Sequence, residues 1–188
     1  ADVVSGKVKR LNRKYKRPAV FLDRDGVISK EIDLLHKVEQ LELIDGAADA
    51  ISLINKSGYL AIVVTNQPVI ARNLCSFEEL QNIHNRMETL LGEKHAYLDA
   101  IYFCPHHPDK GYPEERVEYK IDCSCRKPKP GMLLKAAEDF NIDMSESFMI
   151  GDRPQDIQAG NAANVKSSIL IETNVSNALL NAVKKLAL

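Results

Sequence analysis

The chain has 188 residues, 45% hydrophobic and 27% charged, with a formal net charge of −1, a balance that suits one soluble domain with a sizeable core and a small insertion. Near-zero charge excludes a general attraction to nucleic acid or an anionic membrane. No apolar run is long enough to span a bilayer or to act as a secretory signal, so a cytoplasmic protein is expected.

Lys7, Lys9, Arg10, Arg13, Lys14, Lys16 and Arg17 crowd the segment 1–17, which reads as a solvated basic linker before a domain spanning 18–188. A nucleic-acid or lipid-binding arm is the alternative. Behind Pro18, Ala19-Val20-Phe21-Leu22 is short, apolar and largely β-favouring, as a buried parallel strand is. It delivers Asp23-Arg24-Asp25-Gly26 at its carboxyl end, where open α/β sheets place their ligands. Two carboxylates so close repel each other unless a cation or a shared proton intervenes, so a divalent metal is expected there. Taken alone, the motif also reads as an ordinary Asp-Gly turn.

Glu31 to Leu43 is mixed and expected to be loop-rich. After Asp45-Gly46, the helical spacing of Ala47, Ala50, Ile51 and Ile54 predicts a helix that Gly58 ends. Leu60 to Val64 is a second buried strand, running into the polar Thr65-Asn66-Gln67-Pro68. Ser76, with Glu79 completing a capping box, starts a helix from Phe77 to about Leu91. Leu98 to Phe103 is a third strand. The periodicity then fails from Cys104 to Pro130, an insertion of prolines, charges and three of the four cysteines. A helix resumes over Gly131 to Phe140. Phe148-Met149-Ile150 is a fourth strand leading into Gly151-Asp152, Ser168 to Ile171 a fifth, and a last helix starts at about Val175. Strands alternating with helices predict a doubly wound parallel α/β sheet.

Within the insertion, Cys104-Pro105-His106 and Cys123-Ser124-Cys125 offer three thiols and an imidazole in a segment with little apolar material. A structural Cys₃His zinc site would hold it together through four protein ligands, with a binding free energy of roughly 10 kcal/mol or more to offset the entropy of ordering the loop. A Cys123–Cys125 disulfide is the rival, but its ring is awkwardly small and cytoplasmic thiols stay reduced. His107 is a substitute for His106, although the alternate position suits better. Cys75, His84 and His95 are expected to be packing or surface residues.

Asp23 with Asp25, then Thr65, Lys127 and Asp152, each lie at or near a strand end or the start of the next helix. From Phe21 to about Asp156 this order resembles the four sequence motifs of the haloacid dehalogenase-like (HAD) phosphohydrolases. The resemblance implies a Rossmann-like HAD fold with Asp23 as nucleophile, forming an aspartyl phosphate, and Asp25 as general acid and then base. It implies Mg²⁺ held by the Asp23 carboxylate, the Asp25 backbone carbonyl and Asp152, with Thr65 and Lys127 on the phosphate oxygens. Asp156 is left either as a partner orienting Lys127 or the metal shell, or as a plain helix-start aspartate.

Cys-x-His, Cys-x-Cys-Arg-Lys-Pro and the Pro-Gly-Met that follows are similar to the heptose-bisphosphate and histidinol-phosphate phosphatase branch of that superfamily, in which a small zinc-stapled loop stands in place of a cap domain. This implies a sugar-phosphate substrate, a heptose 1,7-bisphosphate losing its 7-phosphate, with histidinol phosphate as the alternative. Asn66 and Gln67 would read hydroxyls, Arg126 the other phosphate or hydroxyls, and Arg153 would be a further basic phosphate contact. Val69 and Asn73 stand where the branch has glycines, and the segment between the two halves of the zinc site is longer; both changes border the substrate. The stretch from Ser5 to Asn12 resembles linkers that join a preceding sugar nucleotidyltransferase domain to such a phosphatase, so fusion to that partner is a further expectation. A catalytically idle zinc-stabilised binding module is the reading from another class. The intact Asp23, Asp25, Thr65, Lys127 and Asp152 argue against it.

Overall fold

The protein is described by a computed structural model covering residues 3–5 and 15–188. Its sheet contains β1 (Val3–Ser5), β2 (Ala19–Leu22), β3 (Leu60–Asn66), β4 (Ala100–Cys104), β5 (Phe148–Gly151) and β6 (Ser167–Leu170), in the order β1-β4-β3-β2-β5-β6. Strands β2 to β6 are parallel, as expected. β1 is a difference: it lies antiparallel on the edge of β4, pairing Val4 with Tyr102, and it comes from the segment read as linker. Three residues are too few to show a period, and the open edge of β4 offers the backbone groups they pair with. Residues 6–14, which hold most of that segment's basic side chains, lie outside the described residues.

Alternation along the strands sorts the core into two layers. Val20 and Leu22 of β2, with Ala61, Val63, Ile101 and Phe103, join the cluster formed by α1 (Ala47–Ser57), α2 (Phe77–Gly92) and α5 (Ala178–Leu186). Ala19 and Phe21, with Ile62, Val64 and Tyr102, join the opposite cluster with α3 (Gly131–Phe140) and α4 (Pro154–Ala162). Covered on both faces, β2 and most of β3 must be apolar throughout, which is why their sequences show a run and no polar alternation.

The helix ends follow local chemistry. Ser76 Oγ accepts from the Glu79 N–H at 3.1 Å and Glu79 accepts from the Ser76 N–H at 2.7 Å, so the expected capping box forms. Gly58 closes α1 in the left-handed region, at φ 86. α5 begins at Ala178, later than expected, because Asn177 turns left-handed at φ 62. α4, anticipated only as a helix start at Asp156, runs over Pro154–Ala162. Its nine residues carry no apolar stripe, and its buried positions are Asp156, Ala159 and Gly160. Among the described residues no helix is long and apolar enough to cross a membrane.

The chain steps from β2 outward to β3 and β4, then returns to β5 on the other side of β2. The carboxyl end of β2 is therefore the topological switch point, with β3 and β5 flanking it. The insertion between β4 and α3 has only a short 3₁₀ turn, Val117–Tyr119. It leans on the loop after β3: the Arg116 N–H donates to the Ala71 carbonyl at 2.8 Å, and Arg116 Nε to Asn73 Oδ1 at 2.7 Å. Asn73 is left-handed at φ 56, a conformation asparagine adopts more readily than most side chains, so it can stand where a glycine would otherwise serve.

Candidate active site

Asp23 leaves β2 at the switch point. Its Oδ1 accepts from the Arg24 N–H at 2.8 Å and meets Lys127 Nζ at 2.9 Å, so both contacts fall on one oxygen. Lys127 arrives from the insertion, 2% exposed, and also donates to the Val64 carbonyl at 2.8 Å and to Asp156 Oδ1 at 2.7 Å. Burial by itself would lower the pKa of that ammonium, but the Asp23 and Asp156 carboxylates outweigh it and hold the pKa above the usual lysine value. The other Asp156 oxygen accepts from the N–H groups of Asp152 and Arg153, at 3.1 and 3.0 Å. Asp156 thus caps α4 and orients Lys127 at once, which resolves the two readings its position left open. Gly151 makes room for it, since a Cβ there would lie 2.2 Å from the Asp156 Cβ.

A metal fits beside these groups. Carboxylate oxygens of Asp23, Asp152 and Asp156 lie within 4.8 Å of one another, and Asp152 Oδ1 is buried with no hydrogen-bond partner. Burial, with the Asp23 charge adding to it, raises the pKa of the Asp152 carboxyl, the unfavourable condition that a cation would reverse. Gly26, at φ +80, passes so close that a Cβ would meet Asp152 Oδ2 at 2.3 Å. Hard carboxylate oxygens in such a cluster suit Mg²⁺. The Asp25 side chain is not part of that cluster; it is turned toward Arg24 and Gln67.

Asp25 is held by Arg24, a residue the sequence reading passed over. Arg24 is completely buried; its Nε and Nη2 donate to the two Asp25 oxygens at 3.0 and 2.9 Å. Gln67 Nε2 donates to Asp25 Oδ2 and to Thr65 Oγ1, both at 2.9 Å. Asn66 clamps the Lys127 backbone, accepting from its N–H at 3.0 Å and donating to its carbonyl at 3.1 Å. The amides expected to read substrate hydroxyls therefore hold Asp25, Thr65 and Lys127, although both residues line the cleft. Arg153 also lines it, with Nη2 3.1 Å from Glu31 Oε2. Thr173, in the turn three residues after β6, donates to Asp152 Oδ2 at 2.7 Å. Its signal was weaker than those already singled out, because Thr173 lies in the polar stretch beyond the expected fifth strand, Ser168 to Ile171. The cleft encloses about 200 Å³, with Asp23, Thr65, Lys127 and Arg126 on its walls.

The second cluster lies at the root of the insertion. Cys104, Cys123 and Cys125 place their Sγ atoms 3.0 to 3.4 Å apart, and His106 Nδ1 lies 3.5 and 3.4 Å from those of Cys104 and Cys125. These separations are far beyond a sulfur–sulfur bond, so the three thiols are not joined in a disulfide. They are near the ~3.8 Å edge of a tetrahedron with ~2.3 Å metal–sulfur arms, so this donor set fits a structural zinc ion. His107 lies outside the cluster, its N–H on the Tyr119 carbonyl. The Arg126 N–H donates to Cys123 Sγ at 3.3 Å and Arg126 Nη1 to the His106 carbonyl at 3.2 Å, tying the backbone before Lys127 to the cluster.

The HAD-hydrolase-like family model matches residues 124–185. Relatives named D-glycero-beta-D-manno-heptose-1,7-bisphosphate 7-phosphatase include those of Pasteurella multocida, 41% identical over 84% of this chain and 83% of theirs, and of Escherichia coli K12, 43% identical over 83% and 80%. A crystal structure of D,D-heptose 1,7-bisphosphate phosphatase from B. bronchiseptica, complexed with magnesium and phosphate, superposes with a TM-score of 0.73 at 29% identity, covering 89% of this chain and 86% of that one. A HAD-like phosphatase from Mesorhizobium loti gives 0.79 at 30%, over 91% and 88%. With such identity sustained over four-fifths of each relative, the chain belongs to the D-glycero-beta-D-manno-heptose-1,7-bisphosphate 7-phosphatase family of HAD-like hydrolases.

Proposed function

We propose that this protein removes the 7-phosphate of D-glycero-β-D-manno-heptose 1,7-bisphosphate through an aspartyl phosphate on Asp23. The observation that carries the reading is Asp23 at the switch point, one oxygen fixed by Lys127 and the Arg24 N–H and the other outside both contacts. That second oxygen attacks phosphorus, the bond to the sugar oxygen breaks, and Asp25 gives the departing oxygen its proton. Asp25 then takes a proton from the water that attacks the phosphoaspartate, releasing inorganic phosphate and restoring both carboxyl groups. Thr65 and Lys127 hold the phosphate oxygens as charge shifts onto them. Mg²⁺, held by Asp23, Asp152 and the Asp25 carbonyl, would supply charge neutralisation at the phosphoryl group.

Zinc on Cys104, His106, Cys123 and Cys125 would fix the loop that presents Arg126 and Lys127. Arg126 suits the substrate's second phosphate, its planar fork matching that group; Arg153 would serve there after leaving Glu31. A cytoplasmic, reducing compartment fits four cysteines outside any disulfide. Histidinol phosphate is not favoured, because the matched relatives carry the heptose name. The test is Mg²⁺-dependent phosphate release from the α and β heptose 1,7-bisphosphates and from histidinol phosphate, with Asp23→Asn as control. Preference for the β anomer, lost in the control, is expected. Preference for histidinol phosphate, or undiminished activity in the control, would overturn the reading.

A further inference from the structure

Arg24 and His84 are polar side chains of the core with zero exposure that lie beside the catalytic loop, as does Ser29. The Arg24 fork occupies both oxygens of Asp25, and its remaining nitrogen, Nη1, lies 3.3 Å from His84 Nε2. A guanidinium only donates, so Nε2 must be the acceptor and the ring is neutral with its proton on Nδ1. Burial first, and the Arg24 charge second, hold the pKa of His84 well below the ordinary histidine value, which agrees. His84 sits in the middle of α2, one ring-packing distance, 5.9 Å between centroids, from Phe103 of β4. Its position is therefore set by the core and is insensitive to what enters the cleft.

We infer that His84 is a positioning residue for the phosphatase reaction, acting through Arg24 to aim the Asp25 carboxyl at the leaving oxygen. This rests on the proposed role of Asp25 as the acid. The guanidinium plane is fixed by three acceptor atoms, two on Asp25 and one on His84. Without the third, the fork can rotate about its bonds to Asp25 and carry the carboxylate with it. Gln67 Nε2, at 2.9 Å on Oδ2, and Ser29 Oγ, at 3.4 Å on Oδ1, also meet that carboxylate, but as single neutral donors they hold it less firmly than the charged, paired fork. Asp23, Lys127 and the acidic cluster make no contact with His84, so the nucleophile and the phosphate groups should be untouched by its loss.

Leaving-group dependence separates this role from a merely structural one. An alkyl phosphate needs a proton on the departing oxygen; p-nitrophenyl phosphate, whose leaving group is stable as an anion, does not. kcat/KM reports the steps up to phosphoryl transfer to Asp23 and so isolates the acid role. His84→Leu is expected to lower kcat/KM on the heptose bisphosphate by about 10- to 100-fold while changing p-nitrophenyl phosphate by less than about threefold, no more than the low end of the 10²–10⁴-fold that a general acid itself contributes. His84→Gln, which returns an acceptor oxygen, is expected to recover most of the loss. Should His84→Leu not fold, Arg24→Lys makes the same comparison, keeping the charge and removing the fork. Equal losses on both substrates, or no loss on either, would overturn the inference. Asp25→Asn run alongside distinguishes the failures: if it shows the leaving-group pattern and the His84 variants do not, only the positioning role falls; if it shows no pattern, the acid assignment falls with it.

Discussion

Asp156→Asn removes one buried charge and little volume. In the native protein one Asp156 oxygen accepts from Lys127 and the other from two backbone N–H groups. Both side chains are 2% exposed, so solvent screening gives little relief. An asparagine carbonyl can keep the backbone donors, but its NH₂ then faces the Lys127 ammonium, donor against donor. Removing one partner of a buried ion pair costs about 3–5 kcal/mol, and because Lys127 keeps Asp23 and the Val64 carbonyl, the low end, about 3 kcal/mol, is expected. That is roughly a 150-fold loss in the folding equilibrium constant at ~1.4 kcal/mol per decade. Lys127 would also lean wholly on Asp23, tying up the nucleophile, so kcat should fall at least about tenfold. Urea unfolding in excess Mg²⁺, with midpoints compared at constant m, measures the first quantity, and steady-state phosphate release the second. A loss below about 1 kcal/mol with kcat intact would refute the reasoning.

Gly26→Ala should weaken Mg²⁺ binding at least about tenfold by calorimetric titration, because the new Cβ meets Asp152 Oδ2 at 2.3 Å in a left-handed backbone that disfavours any side chain; native affinity would contradict the fit argued for Asp152. Chelation should release zinc, lower Tm and expose Cys104, Cys123 and Cys125 to alkylation at pH 8. Cys75 should stay unreactive, since burial, with Glu79 adding, pushes its thiol up to about 11; an unchanged Tm or early labelling of Cys75 would count against this. His84 gives the pH dependence its sign. A histidine with a depressed folded pKa contributes stability above its unfolded pKa of about 6.5, which is lost as pH falls toward the folded value. Wild type should therefore lose stability relative to His84→Gln below pH 6.5, by up to about 1.4 kcal/mol per pH unit, and parallel stability curves would exclude a buried neutral ring.

The parallel sheet, four of its helices and the Cys/His cluster were legible in the chain because each rests on local signals: apolar runs behind polar strand ends, the Ser76–Glu79 box, alternate-position cysteines; the pairing of Asp23 with Asp152 came only from the resemblance to the HAD motifs. α4 was less legible, since Ala159 and Gly160 are buried by being small and leave no stripe. The roles of Asn66 and Gln67 were harder still. Their place after Thr65 marks them as cleft residues, yet Asn66 meets Lys127 from 61 positions away and Gln67 meets Asp25 from 42.

What the sequence by itself determined is the set of reactive groups and the strand ends that carry them, because strand periodicity and chemical type are properties of neighbouring residues. What only the tertiary structure decided is which group answers to which. Arg24 turned to Asp25 and His84, and Asp156 shared between Lys127 and the start of α4, both depend on buried polar groups finding partners across the fold. Their desolvation makes an unpaired arrangement costly, and no spacing along the chain encodes the answer.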